Sequence, residues 1–214
     1  PAAREFLMDK KVVLRSADGA GSNANTSRFC GIDGKKYDVK PEYMTHLNGR
    51  FLVPKNHIRI ILRGKLDSLQ SAILEVQVLA CSVSNKKLSD DLQDVLAFVR
   101  GLVRAEVMDE AVARQSIVGL SFDEIHYRSH HPKEFYGFPH IMVDRSMGAC
   151  AVGINTLRTM ARETEICAYE AFSEKGKITS HEDILVSLNR LSSLFYIMIF
   201  EHLPQDYTPQ PSGI

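Results

Sequence analysis

The sequence lacks an excess of either charge, a long hydrophobic run and a cysteine framework. Its 214 residues contain 26 Lys and Arg and 26 Asp and Glu, so no overall field draws the chain to nucleic acid or to an anionic membrane. The longest apolar run, Leu194 to Phe200, is far too short to span a bilayer. The first residues also lack the pattern of a secretion signal. These absences predict a protein without nucleic-acid or membrane partners.

The four cysteines are scattered through the chain, at Cys30, Cys81, Cys150 and Cys167. Without framework spacing they are typical of a reduced compartment, and we expect a cytoplasmic protein. The apolar content of 44% is ordinary for a globular chain. The length suits one domain with a small appendage.

The front of the chain has weak and short patterns, and we assign residues 1–45 to a small N-terminal appendage and 46–214 to the main domain. Residues 2–8 favour two helical turns and 12–14 a short strand. Residues 16–25 are rich in Gly, Ser, Ala and Asn, which is typical of a mobile loop. A second strand is predicted over 36–39, after the Asp33-Gly34 turn signal.

From Asn56 onward the apolar residues follow the three-and-four spacing of packed helices. The first helix has the buried seam Leu62, Leu66, Leu69, Ile73, Val76, Ala80 and Val83. A second helix is predicted to start at Ser89, and a short one at Ser121 with a capping box to Glu124. A long helix is predicted over 147–172, and the last is predicted to start at Ser180 with Asp183. Long helices with strands only at the front predict an all-α helical bundle.

A polar stripe on the long helix over 147–172 is the main functional signal. Its members recur at helical spacing: Asn155, Arg158, Arg162, Glu165 and Tyr169. Beside it runs a mostly apolar stripe, so the helix suggests a site at a helix–helix junction. The alternative is a solvated charged face. A second polar stretch on the last helix, residues 188–193, favours the site.

Three motifs together resemble the ATP:corrinoid adenosyltransferases of the propanediol-utilisation type. They are Lys55-x-x-x-Arg59 followed by Gly64-x-x-Asp67, Arg158-x-x-x-Arg162-x-x-Glu165, and Leu188-Asn189-Arg190-Leu191-Ser192. Further runs, among them 115–120 and 162–165, are similar to the ethanolamine-utilisation type of the same enzymes. The resemblance covers nearly the whole chain and implies a ferritin-like bundle.

The resemblance also implies a reaction and its residues. In this family the Co(I) of a reduced corrinoid attacks the 5′ carbon of ATP and expels triphosphate, so the protein needs no nucleophile of its own. Arg158 and Arg162 would hold the phosphates, because guanidinium groups present forked donors to phosphate oxygens. Lys55 and Arg59 would lie near the nucleotide.

The resemblance implies supporting roles for three further residues. Asp67 would orient an arginine across a subunit boundary. Asn189 and Glu165 would complete the nucleotide and metal-ion end. Packing polarity at Asn189 and an exposed ion pair at Asp67 are the structural alternatives.

Two departures from the family pattern affect the candidate sites. The usual glycine-rich nucleotide loop is absent before Val53, and Thr45 and His46 in the segment that replaces it are candidate nucleotide contacts. Many ethanolamine-type members have a metal-binding Cys-Cys-x-x-Cys motif, of which only Cys30 is present here. One cysteine does not make a metal site, and we predict no Zn or Fe site there.

The corrin pocket is predicted in the segment that leads to the arginine helix. The residues chosen for it are His126, Phe138 and Met142. His126 and His130 are four residues apart and face the same way on a helix, so a transition-metal site or a packing role are the alternatives.

The expected substrates are ATP and cobalamin with Mg²⁺, and the resemblance implies a flavoprotein reductase and an ethanolamine ammonia-lyase as partners. A homodimer or homotrimer is expected, in the cytoplasm or with a bacterial microcompartment. The rival hypothesis is a non-catalytic corrinoid carrier with the same bundle.

Overall fold

The computed structural model describes residues 28–49, 51–204 and 207, and long helices dominate it. The helical turns, strand and loop predicted within residues 2–25 lie outside these ranges. The helices are α1 (Ile58–Ser82), α2 (Lys86–Met108), α3 (Phe122–His130), α4 (Pro132–Tyr136), α5 (Gly148–Phe172) and α6 (Glu182–Glu201), with a 3-10 turn at Arg145–Met147.

The strands of the described part are short. They are β1 (Phe29–Gly31), β2 (Lys36–Tyr37), β3 (Met44–His46), β4 (Phe51–Pro54), β5 (Ser116–Ile117), β6 (Leu120–Ser121), β7 (Ser173–Glu174) and β8 (Lys177–Ile178). The first four form one sheet in the order β2-β1-β4-β3, with β1 parallel to β4. The predicted strand at 36–39 is present as β2, but it ends at Tyr37. The sheet continues through the predicted boundary at residue 45, because β3 pairs with β4.

The seam of α1 is buried as its spacing predicts. Its fully or nearly fully buried residues are Leu62, Leu66, Leu69, Ile73, Val76 and Ala80. Val83 was placed on the same seam, but it is 56% exposed because the helix ends at Ser82. This seam packs α1 against α2 and α5.

Two of the predicted helix starts are wrong. Helix α2 begins at Lys86, because the Asn85 side chain accepts a hydrogen bond from the Leu88 N–H and so caps the helix ahead of Ser89. Helix α6 begins after His181, whose left-handed backbone turns the chain into the helix, and Ser180 makes no cap. The capping box at Ser121 is confirmed.

Helix α5 lies between α1 and α6, and its predicted range is confirmed within one residue. At Gly153 an added Cβ would lie 3.1 Å from a methyl group of Val76, so the missing side chain lets α5 approach α1 closely. The core residues predicted for α6, such as Leu188, Leu191 and Phe195, are fully buried. By length and composition α6 is long and apolar enough to cross a membrane, but most of it is buried against other helices, as in any core helix.

A buried carboxylate connects the sheet to the bundle. Glu106 on α2 is fully buried, and Arg59 Nε donates to its Oε1 over 2.6 Å. Arg63 Nε donates to Oε2 over 2.5 Å. The same Arg63 donates to the carbonyl oxygens of His46, over 3.3 Å, and Leu47, over 2.5 Å. One residue of α2 therefore fixes two arginines of α1, and one of these, Arg63, holds the end of β3.

Replacement of Glu106 is expected to destabilise the fold strongly. In Glu106→Gln both arginines lose their charge partner in a buried setting, and breaking such a pair costs about 3–5 kcal/mol. Glu110→Gln is the matched control, because Glu110 pairs with Arg104 on the surface and such pairs contribute no more than about 1 kcal/mol. Urea unfolding followed by circular dichroism measures both variants, and equal losses would contradict the structural role of Glu106.

Candidate active site

Two residues of the polar stripe of α5, Arg158 and Arg162, face a cleft that α3 and α6 complete. The cleft has a volume of about 430 Å³. It is lined by His126, Ser129, His130, His140, Arg158, Arg162, Asn189, Ser192, Ser193 and Tyr196. The fold thus brings together Arg158, Arg162 and Asn189, three of the residues predicted for the nucleotide, with His126, which was predicted for the corrin.

The cleft carries positive charge that no carboxylate in its lining neutralises. Arg158 is partly buried, and its Nε donates to Asn155 Oδ1 over 3.0 Å. Burial, and then the charge of Arg162, lower the pKa of the Arg158 guanidinium. Both effects oppose its charge. An anion in the cleft would therefore be bound favourably by two arginines that have no acidic partner among the residues the structure describes.

Asn189 connects α6 to the glutamate of the α5 stripe. Its Nδ2 donates to Glu165 Oε1 over 3.0 Å, and its Oδ1 accepts from Arg190 over 2.6 Å. Glu165 and Asn189, which were predicted for the same end of the site, are therefore in contact at one end of the cleft, with Arg190 beside them. Arg190 Nε is buried, with no hydrogen-bond partner in the part of the chain that the structure describes.

The opposite end of the cleft is formed by Tyr196 and the segment before α5. The Tyr196 hydroxyl accepts a hydrogen bond from the Ile141 N–H over 3.2 Å and lies 3.1 Å from His140 Nδ1. The rings of His140 and Tyr196 are stacked, with centroids 6.0 Å apart. Burial is the main cause that raises the pKa of Tyr196, so this hydroxyl keeps its proton and stays a neutral group.

The other residues predicted for the nucleotide do not line this cleft. Thr45 and His46 lie on β3, Lys55 is exposed just before α1, and Asp67 is exposed on α1. No ion pair of Asp67 is present among residues 28–49, 51–204 and 207. The fold of one chain therefore places the predicted site residues in two groups on different elements.

Arg59 belongs to the second group but already has partners. Besides its bond to the Glu106 carboxylate, it donates to the Glu106 carbonyl oxygen over 2.6 Å, and its guanidinium lies 5.8 Å from the Phe172 ring centre. Its geometry is set by these contacts rather than by solvent.

Two of the residues predicted for the corrin lie outside the cleft, in the segment between α4 and α5. Met142 is 90% exposed. Phe138 is half-buried, and its ring contacts that of Tyr207 at a centroid distance of 6.0 Å. The same segment contains His140 and Ile141, which contact the Tyr196 hydroxyl, so it borders the Tyr196 end of the cleft.

Comparison with protein-family models matches residues 39–201 to the cobalamin adenosyltransferase family. The match includes the whole bundle and both groups of predicted site residues. The chain belongs to the cobalamin adenosyltransferase family.

Individual relatives agree with this assignment. The corrinoid adenosyltransferase EutT of Salmonella typhimurium is 30% identical over 93% of this chain and 80% of its own length. EutT of Escherichia coli K12 is 29% identical over the same shares. A variant of the PduO-type ATP:corrinoid adenosyltransferase of Lactobacillus reuteri, solved with cobalamin and ATP, is similar with a TM-score of 0.60 and 17% identity, over 76% of this chain and 92% of that one. This likeness confirms the helical-bundle fold.

Besides His126 and His130, which line the arginine cleft, two further potential metal-binding positions among the described residues lie apart from it. Cys30 is on β1, and its thiol donates to the neighbouring Gly31 carbonyl oxygen. Asp91, Glu201 and His202 offer ligand atoms within 4.8 Å of one another. However, the ammonium group of Lys87 lies 2.8 Å from both Asp91 Oδ2 and Glu201 Oε2, so it already balances these carboxylates.

Several residues of the site and its support were not predicted from the sequence. Tyr196 and His140 have no signal of their own in the pattern. Glu106 had one, because it follows Val95, Val99 and Leu102 at the spacing of the buried seam of α2, where a carboxylate needs a buried partner.

Adenosyltransferase activity is expected to survive removal of transition metals. Cys30 has no companion ligands of the missing motif, so a Zn- or Fe-selective chelator should leave the rate unchanged once Mg²⁺ is resupplied. The measurement is the rate of cobalt–carbon bond formation before and after chelation. Loss of activity that only Zn or Fe restores would show this prediction to be wrong.

Proposed function

We propose that this protein transfers the 5′-deoxyadenosyl group of ATP to the Co(I) of a reduced corrinoid and releases triphosphate. The observation that carries this proposal is the cleft in which Arg158 and Arg162 lie together without a carboxylate. The motif pattern and the family membership support the same reaction.

The two arginines suit the leaving group of this reaction. Negative charge accumulates on the triphosphate as its bond to the 5′ carbon breaks, and donors already fixed in place stabilise that charge without reorganisation. The Asn155 bond to Arg158 fixes one guanidinium in this way. The cobalt of the corrinoid substrate is the nucleophile, so the protein's work is to position ATP and to balance charge.

Glu165 is the residue that fits Mg²⁺ at this site. One of its oxygens accepts from Asn189, and the other has no hydrogen bond within the described residues. Mg²⁺ is commonly held by one or two carboxylates together with substrate phosphates, and when bound it neutralises part of the phosphate charge. Asn189 would then hold the carboxylate in place.

The corrinoid would contact the segment that borders the Tyr196 end of the cleft. Phe138 and the exposed Met142 offer apolar surface there, and an exposed apolar side chain of this size gains free energy when a ligand covers it. This arrangement directs the 5′ carbon of ATP toward Tyr196 and the phosphates toward Asn189.

The second group of residues would complete the site from another copy of the chain. Lys55, Thr45 and His46 lie away from the cleft in one chain, and Asp67 has an exposed carboxylate without an ion pair among the described residues. A closed homodimer or homotrimer could place Asp67 of one copy beside Arg158 of the next. Arg59 would act there from the fixed position that Glu106 gives it.

The product would serve an ethanolamine ammonia-lyase, in the cytoplasm or within a microcompartment, and a flavoprotein reductase would supply Co(I). A non-catalytic corrinoid carrier is the second candidate. The unusual nucleotide segment at Thr45 and His46 favours it, whereas the intact pair of arginines favours catalysis, since a carrier has no leaving group to stabilise.

Arg158→Ala is expected to slow the chemical step at least about a hundredfold, the scale of removing one fixed charge-stabilising donor. Arg158→Lys should restore only part of the rate, because an ammonium does not reproduce the guanidinium fork. Arg100→Ala, which removes an exposed arginine of α2, is the control. Single-turnover formation of the cobalt–carbon bond at saturating ATP under strong reductant decides, and a wild-type rate in Arg158→Ala would favour the carrier.

Asp67→Asn is expected to slow the reaction as well, because Arg158 would lose its orienting partner. If the two act across a subunit boundary, co-expression of Asp67→Asn and Arg158→Ala chains should restore activity in about a quarter of the sites, those built from one unaltered side of each copy. The control is a chain that carries both substitutions, Asp67→Asn and Arg158→Ala, expressed alone. It should show no recovery of activity. Absence of any recovery in an assembly shown to be mixed would place both residues in one chain.

A further inference from the structure

Two histidines of α3 face the arginine cleft from its third wall. His126 and His130 are four residues apart, which puts them on the same side of the helix. Their ring centroids are 4.6 Å apart, and both line the cleft with Arg158 and Arg162. His131, the next residue, does not line it: its ring stacks on Tyr127 at 4.2 Å.

The charges around this pair are mainly positive. Arg158 and Arg162 face it from α5, and Arg190 acts on His126 from α6. The acid that acts on His126 is Asp123, one turn earlier on α3. A metal cation between these imidazoles would therefore be repelled by the arginines, whereas an anion would be attracted by all of them.

The position along the cleft indicates which part of the nucleotide reaches His126. Arg190, which acts on His126, belongs with Asn189 and Glu165 to one end of the cleft. The corrin-binding segment borders the other end, at Tyr196. Because the 5′ carbon must face the corrin, the phosphate chain extends away from Tyr196 and toward His126.

We propose that His126 and His130 bind the outer phosphates of ATP and of the released triphosphate, and that binding of this polyanion is coupled to proton uptake at His126. This inference rests on the proposed function and names the ligand of two residues within that site. It replaces the predicted contact of His126 with the corrin by a contact with phosphate, since its neighbours in the cleft are polar and cationic.

The coupling has a definite direction. In the free protein the His126 side chain is exposed. Partial desolvation by its neighbours, and then the charges of Arg190 and His130, hold the pKa of His126 below its ordinary value of 6.5. A bound polyanion raises that pKa, because it favours the charged imidazolium. The polyanion therefore binds more tightly at pH values where His126 is protonated in the complex. Its affinity falls as the pH rises through the pKa of His126 in the complex.

The test is calorimetric titration of the full chain with inorganic tripolyphosphate between about pH 6 and pH 8, in buffers of different ionisation enthalpy. Wild-type protein should take up protons on binding, with affinity falling by up to about tenfold per pH unit for each coupled proton. The double variant His126→Gln/His130→Gln should bind more weakly at the low end and lose most of this dependence. His131→Gln is the matched control and should behave like wild type.

Tripolyphosphate itself titrates in this range. The result is therefore read from the difference in affinity and proton uptake between the double variant and the His131→Gln control. If the double variant is poorly folded, each single variant should show part of the same loss. Unchanged affinity and proton uptake without both histidines would overturn the proposal, as would the absence of tripolyphosphate binding to wild type. Loss of Zn²⁺ binding with unchanged tripolyphosphate binding would also overturn it, in favour of a metal site.

Failure of the proposed function gives a different result. A protein that binds tripolyphosphate through the two histidines but forms no cobalt–carbon bond from ATP would retain this inference and refute the transferase reaction.

Discussion

The buried carboxylate of Glu106 is the interaction on which the arrangement of the front half of the protein depends. An ion of this kind is tolerated in the interior only when its charge and hydrogen bonds are fully met, and Arg59 and Arg63 meet both. Because Arg63 also bonds the carbonyl oxygens at the end of β3, the sheet is held at a fixed position beside α1. Thr45 and His46 are thus positioned by a residue about sixty positions later in the chain.

The chain treats its two pairs of arginines in opposite ways. The pair on α1 has a buried glutamate between its members, so its charge is neutralised within the fold. The pair on α5 has no acid in the surrounding cleft, and burial of Arg158 beside Arg162 opposes its charge. Binding of an anion relieves this unfavourable interaction between the two arginines. A site that stabilises a phosphate or triphosphate leaving group requires this property. Preference for an anionic ligand at the α5 pair follows from the lack of a neutralising carboxylate in the lining of this cleft.

Much of this could be predicted from particular residues. The seam from Leu62 to Ala80 and the range of α5 follow from helical spacing, because a helix in a bundle must bury one face. The roles proposed for Arg158, Arg162 and Asn189 rest on motif likeness, and the fold places these three residues in one cleft. The starts of α2 and α6 were wrong, because local cap geometry at Asn85 and His181 depends on backbone angles that residue type alone does not fix.

The sequence by itself determined the helices, the polar stripe of α5 and the family, since these depend on neighbours within a few turns or on motifs in linear order. Only the tertiary structure decided which helix faces pack against each other. It paired Glu106 with arginines more than forty residues away, joined the α3 histidines to the arginines of α5, and left Asp67 on a different surface. The physical reason is that contacts between distant segments are selected by how whole helix faces pack, and the pattern of one helix does not contain the shape of its partner.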